Sequence, residues 1–382
     1  MMGCCCTSRH PSSHSAPPEI SILFKQELPQ CKKQVTYRIP ALIYISDKQT
    51  FLAFTEKRKT PSDTDAEVLV MRKGLWKNDN NPVKWVSGQQ VFTSACLPNY
   101  RSMNPCPVYE RESETLFLFF ICVPVGVSEQ QQKKEKKNQA RLCYVTSKNT
   151  GKTWSAVTDL TADVIGEQEK NWATFAVGPG HGIQMKSGRL IIPAYTYYFT
   201  IAYSDDKGST WHIGKCVDGE SNECQMAEII DDEGNSILYC NARSTNHYRN
   251  EALSESKGKD FDKSSFVNKL IETGQGCQGS MLSFAPNQVS AKTWLLYSHP
   301  TNATNRLSLG IYLNKCPSDA SGWGNPVILH EGPSGYSDLT QCGDEKHFAC
   351  LMECGEKSEL ERIGFVLFEQ KDDKAEKLQF TK

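Results

Sequence analysis

The sequence predicts an all-β chain folded as a β-propeller of four-stranded antiparallel blades. Three observations point there: an octapeptide that recurs, the spacing of its copies, and short β-rich segments separated by turn residues. Residues 147–154 read SKNTGKTW and residues 204–211 read SDDKGSTW, both fitting S-x-[DN]-x-G-x-T-W. In this template the Asp206 carboxylate accepts main-chain N–H groups across a tight turn, Gly208 supplies a positive φ, and Trp211 anchors the strand that follows. Asn149 replaces the acid in the first copy, and its amide oxygen can accept the same bonds. A degenerate copy, SESKGKDF, starts at Ser254, and a weaker one at Ser318 keeps only the serine and Gly322. The four starts lie 57, 50 and 64 residues apart, which suits one blade per repeat of about 40 to 60 residues. Taken alone, the boxes leave unrelated hairpins of a β-sandwich as the alternative.

A chain of 382 residues can hold two or three domains, but closed all-β folds of this size form one unit, and the repeats favour that. The expected division is a flexible tail over residues 1–30, a single propeller over 31–370 and a polar tail over 371–382. A net charge of -1 supplies no field to steer nucleic acid, so recognition must rest on local charge. The sixteen cysteines show no framework spacing, and reduced thiols are expected. Cys216 with Cys224, and Cys350 with Cys354, lack the paired C-x-x-C or nearby histidines of a zinc site, so neither metal nor cofactor is expected.

Along the chain, strand-like segments appear as VTYRIPALIYI (35–45), TLFLFFICV (115–123), RLIIPAYTYY (189–198), TWLLYSHP (293–300) and IGFVLF (363–368). The apolar run 116–127 is too short to cross a bilayer and reads as a buried central strand. Helical periodicity is scarce, with residues 161–172 the best short candidate. The charged run 129–138, EQQQKKEKKN, reads as a solvated loop, with contact to anionic lipid as its alternative.

At the amino terminus, Met2, Gly3, Cys4, Cys5, Cys6 and Thr7 match a myristoylation pattern if translation starts at Met2. Met1 in front spoils that pattern, but S-acylation of the cysteines does not need it, and two acyl chains would anchor the domain where one would not. A disordered Ser, Pro and His-rich tail is the alternative. The Asn302 sequon is expected to be idle in a chain without an export signal. The expected location is therefore peripheral membrane or cytoplasmic.

Arg38 sits in YRIPAL, where Pro40 favours extended backbone and the flanking apolar residues fix a strand; an arginine there needs an anion. Arg243 and Arg306 stand beside strands of later blades, and such positions can converge on a propeller axis. Three converging guanidiniums suit a carboxylate, although any one alone reads as a surface ion pair.

With these residues go the strings RSMNPCP (101–107), TFAVGPGHG (174–182), PAYTYY (193–198), HPT (299–301) and GYSDL (335–339). Together they resemble the animal exo-α-sialidases over about residues 36–368, nearer to the plasma-membrane-associated ganglioside group than to the cytosolic one. The resemblance implies a six-bladed propeller and a retaining exo-α-sialidase that removes terminal sialic acid from gangliosides, oligosaccharides and glycoproteins.

It also implies roles. Arg38, Arg243 and Arg306 would grip the sialic acid carboxylate, Tyr336 would be the nucleophile and Glu223 its base. The anomeric carbon of a sialoside carries a carboxylate, so an anionic nucleophile would approach against like charge, whereas a phenol does not. Free tyrosine, with a pKa of about 10, must then lose its proton to a neighbour. Asp63 would be the acid/base catalyst; Asp65 is its rival on sequence alone, and the spacing from Arg58 in the family favours Asp63. Arg58 would reach the 4-hydroxyl region, and Tyr195 and Tyr197, read as two rings on one sheet face, the glycerol arm and aglycone. Met103 and Asn104 would contact the N-acyl arm with Glu129 at the rim, and Glu353 would hold Arg38 in a carboxylate fork. A lectin-like propeller with weak or no turnover is the rival function. It would need the arginines but not Tyr336, Glu223 and Asp63 together.

Overall fold

The computed structural model describes residues 18–27, 35–77, 82–217, 221–231, 233–286, 292–344 and 346–370. Its antiparallel strands form six blades around an axis. In the first blade Thr36–Ile45 pairs with Thr50–Arg58, then Ala66–Leu75, then Lys84–Trp85. Tyr100–Glu110, Leu190–Tyr195, Cys224–Ile230 and Ser280–Phe284 lie within the second to fifth blades. The long strand Val327–Gln341 serves two of them. Its first part pairs with Leu307–Asn314 of the fifth blade and its second part with His347–Cys354 of the sixth.

Ser21–Lys25 completes the sixth blade by pairing with Arg362–Glu369, so the sequence-based tail boundary at residue 30 falls too late. This five-residue segment carries little signal of its own, and its partner is the last strand of the chain. Residues 1–17, including the cysteine cluster, and 371–382 lie outside the described residues.

The box turns form as their residues dictate. Ser147 Oγ accepts from Gly151 N at 2.9 Å and Asn149 Oδ1 from Thr153 N at 2.9 Å, with Gly151 at φ 74°. In the second copy Ser204 and Asp206 take the same bonds at 2.9 and 2.8 Å. In the third, Ser256 stands in for the acid and accepts from Asp260 N at 2.8 Å. Each box aromatic packs back onto the preceding blade: Trp154 against Phe92, Trp211 against Phe119, and Phe261 against Phe199, with centroids 5.1, 4.6 and 5.6 Å apart. The repeat thus supplies inter-blade core as well as turns. The segment from Ser318 does not form this turn; Asn314 and Asp319 cap a different loop, accepting from Cys316 N and Ser321 N.

Two further readings are corrected. The charged run after residue 128 is not a loop but an α-helix, Glu129–Glu135, capped by Ser128 and pinned by the buried Gln132. Residues 161–171 form short helical turns where a helix was expected. The described cysteines are all free thiols.

The axis is closed by polar groups from several blades. Asp338 accepts from Leu42 N, His181 Nδ1 and Ser280 Oγ at 2.7, 2.7 and 2.8 Å, and Gln278 bridges Pro179 O and Ser337 O. Being buried and mutually satisfied, this network fixes the inner strands relative to one another.

Candidate active site

Three inner strands break register where they reach one end of the axis: between Arg38 and Ala41, between Met103 and Cys106, and between Ser334 and Ser337. Such bulges bend a strand and re-aim its side chains. At the first two, Ile39 and Asn104 adopt φ of 63° and 57°, each just before a proline. The extended backbone expected at Ile39 is therefore corrected to a left-handed one, a strained state for a β-branched residue.

Buried carboxylates hold these bends. Glu353 forks Arg38 (2.7 and 3.1 Å) and also accepts from Ile39 N and Tyr336 N, both at 3.0 Å. Glu56 accepts from Asn104 N at 2.7 Å and from Arg58 Nε at 2.8 Å. Glu353 thus fixes one guanidinium and two bulges, and Glu56 one of each. Burial alone disfavours both charges, pushing the Arg38 pKa down and the Glu353 pKa up. Their pairing outweighs it, holding the arginine above its usual range and the carboxyl below.

Arg38, Arg58, Asp63, Met103, Asn104, Glu129, Tyr195, Glu223 and Tyr336 line one cavity of about 240 Å³. Tyr336, 7% exposed, donates its hydroxyl hydrogen bond to Glu223 and accepts from Arg243 Nη1 at 3.0 Å. Arg243 Nη1 also reaches Glu223 at 2.7 Å. The guanidiniums of Arg38 and Arg306 stand 5.4 and 5.3 Å from the Tyr336 ring centroid. Burial, then the Glu223 charge, raises the phenol pKa, against the opposing pull of Arg243 and Arg306. The phenol is neutral at rest and has one adjacent acceptor.

The arginines differ in what already occupies them. Arg38 and Arg243 are paired with carboxylates, whereas Arg306 donates to Gly276 O at 3.2 Å and, among the described residues, pairs with no carboxylate. Its charge is the one left for an incoming anion.

Asp63 heads the short turn Asp63–Asp65, and among the described residues its carboxylate makes no hydrogen bond. Asp65, the rival, is held by Thr60 within the loop, which separates the two acids. Tyr197 departs from the reading that paired it with Tyr195. Tyr195 is buried at the end of Leu190–Tyr195, but Tyr197 lies in the turn beyond, 46% exposed and outside the cavity lining. Lys133 Nζ sits 5.7 Å from its ring.

Sequence reasoning missed Glu56, Arg101 and Gln132, all of which bear on this cavity. A carboxylate in the apolar strand Thr50–Arg58 was a legible sign of a buried partner. A larger cavity of about 630 Å³, lined by Tyr109, His181 and Met226, adjoins the opposite end of the inner strands. None of the predicted site groups lines it.

Residues 49–348 match the family described as a BNR repeat-like domain. The chain is 45% identical to Sialidase-3 of Bos taurus, over 92% of this chain and 93% of that protein. It is 43% identical to Sialidase-2 of Mus musculus, over 87% of this chain and 92% of that protein. A solved Trypanosoma rangeli sialidase, in complex with 2,3-difluorosialic acid as a covalent intermediate, is similar in fold. Its TM-score is 0.63 at 18% identity, covering 87% of this chain and 53% of that one.

Proposed function

The chain belongs to the sialidase family and is a sialidase, and from that premise we propose a retaining exo-α-sialidase whose nucleophile is Tyr336. The observation that carries this reading is the Tyr336 hydroxyl held between Glu223 and Arg243 in a cavity bordered by further arginines. The sialic acid carboxylate binds Arg306 together with Arg38 and Arg243, which sets the anomeric carbon toward the phenol. As Tyr336 attacks, its proton passes to Glu223; the glycosidic C–O bond breaks and Asp63 gives its proton to the leaving oxygen. Asp63, now a carboxylate, takes a proton from water, the water attacks the anomeric carbon, and Tyr336 leaves and recovers its proton from Glu223. Two displacements retain the configuration, the tyrosine replacing the carboxylate nucleophile of most glycosidases.

Arg58 is assigned to the 4-hydroxyl region, Met103 and Asn104 to the N-acyl arm, Tyr195 to the glycerol arm, and Glu129 and Tyr197 to the rim. Glu353 acts through Arg38 and the Tyr336 main chain. Proton NMR of a fluorogenic sialoside digest between about pH 4 and 7 should find α-sialic acid as the first-formed anomer. Binding without release would instead favour the lectin-like reading. Arg306→Ala should weaken binding and turnover together, lowering kcat/KM by about 10- to 150-fold, the worth of a charge-assisted contact. An unchanged kcat/KM would remove Arg306 from the carboxylate site.

Glycolipid substrates at a membrane surface fit the rim of the mouth. Val125 is 69% exposed in the turn before helix Glu129–Glu135, Lys133 of that helix lies over the exposed Tyr197 ring, and three lysines, Lys134 within the helix and Lys136 and Lys137 after it, are exposed. Among the described residues no helix is long and apolar enough to cross a membrane. Changing these three lysines to glutamate should lower flotation with anionic vesicles by at least about tenfold, at roughly 1 kcal/mol per basic residue. Equal flotation would clear this face of membrane contact.

A further inference from the structure

We propose that Arg101 is a positioning residue for the acid/base step, holding the main chain of Asp63 in place. This rests on the reading of Asp63 as the acid. Arg101 is 2% exposed, and all three of its guanidinium nitrogens donate to main-chain carbonyls: Nε to Asp63 O at 3.1 Å, Nη1 to Pro124 O and Nη2 to Val127 O, both at 2.6 Å. A buried guanidinium ordinarily ends on a carboxylate. Among the described residues Arg101 pairs with none, so its charge and its fixed fork geometry are committed to carbonyls of two separate segments.

Those segments meet at this one guanidinium, which lines the cavity. The first is the loop 59–65, whose other hydrogen bonds stay with its own first blade: Lys59 N to Asp65 O at 2.9 Å and Arg58 Nη1 to Pro61 O at 2.9 Å. The second is the turn after Thr115–Pro124, which leads into helix Glu129–Glu135 and brings Glu129 and Gln132 to the cavity wall. Because the Asp63 carboxylate makes no hydrogen bond among the described residues, its position is set by its backbone. Arg101 is the tie from that backbone to the second blade. A proton donor displaced by about 1 Å costs on the order of 100-fold, and the loss falls only on steps that need the proton.

The test uses that selectivity. An alkyl-linked sialyl oligosaccharide has a poor leaving group and needs protonation, whereas 4-nitrophenol leaves without it. In Arg101→Gln, kcat/KM for the oligosaccharide should fall about 100-fold while that for the 4-nitrophenyl sialoside stays within about threefold. Arg101→Lys, which can still donate to some of the carbonyls, should fall between. The ratio of the two constants does not depend on how much enzyme is correctly folded, so partial misfolding cannot imitate the result. Asp63→Asn runs in parallel. If it separates the two substrates and Arg101→Gln lowers both equally, the positioning role is overturned and the acid assignment stands. If Asp63→Asn fails to separate them, the acid assignment falls and the role of Arg101 with it.

Discussion

Replacing Tyr336 by phenylalanine is expected to lower kcat by at least about a thousandfold, the scale seen when a covalent nucleophile is removed. Binding of a sialic acid analogue should stay near wild type. The change deletes one atom. The ring keeps its packing against Ile39 and Cys277 and its distances to Arg38 and Arg306, because these depend on the ring and the backbone rather than on the hydroxyl. What disappears is the oxygen that donates to Glu223 and accepts from Arg243. Those two still form their own ion pair at 2.7 Å, so the variant leaves no unpaired buried charge and should fold normally. Turnover of a fluorogenic sialoside measures the first effect and calorimetric binding of an unreactive analogue the second. Mass analysis after a 2,3-difluorinated sialosyl donor should find label on the peptide containing Tyr336 in wild type and none there in the variant. Turnover equal to wild type would reject the tyrosyl intermediate.

The second large effect is on stability. Glu272→Gln is expected to cost about 3–5 kcal/mol, because it strands a buried cation. Arg249 is fully buried and reaches Glu272 at 2.7 Å, Cys277 O at 2.7 Å and Asn241 Oδ1 at 2.8 Å. The same carboxylate accepts from Ser244 N and Cys277 N, both at 3.1 Å. It therefore ties the residue after Arg243 to the segment whose Gly276 carbonyl holds Arg306. Burial would raise its pKa, but Arg249 and the hydrogen bonds hold it well below the usual range. A depressed carboxyl stabilises fully above its unfolded pKa of about 4.3 and loses that contribution as pH falls toward the folded value. Urea midpoints of wild type and variant should thus differ most near neutrality and converge in acid. A constant gap down to about pH 3 would contradict the linkage.

Much of the site was legible because its signals are local. Arg38, Arg243, Arg306, Glu223 and Tyr336 each stand in a short recognisable string, and the blades bring them together. The boxes at Ser147 and Ser204 were equally plain, since serine, an acid or amide, glycine and tryptophan each make their bond within eight residues. What escaped needs a distant partner. Ile39 turns left-handed because Glu353, 314 residues away, accepts its N–H. Glu56 and Arg101 matter through carbonyls and amides of other segments, which composition does not display. The helix after Ser128 is only seven residues long, too short for periodicity to separate it from a charged loop. At Ser318 the serine and glycine were present without the rest of the pattern, and the chain took another turn.

The pairing of Ser21–Lys25 with Arg362–Glu369 joins the first described strand to the last. On a ribosome making about 5–20 residues per second, the opening strand waits roughly 20–70 s before its partner exists. Until then Leu23 and Phe24, buried at 6% and 3% exposure in the finished protein, can pack on Tyr37 and other first-blade residues but lack the strand that covers their edge. During that interval the nascent chain offers an apolar strand with an open edge, a natural target for a holding chaperone. Synthesis of Arg362–Glu369, rather than completion of any earlier blade, is the event that withdraws it.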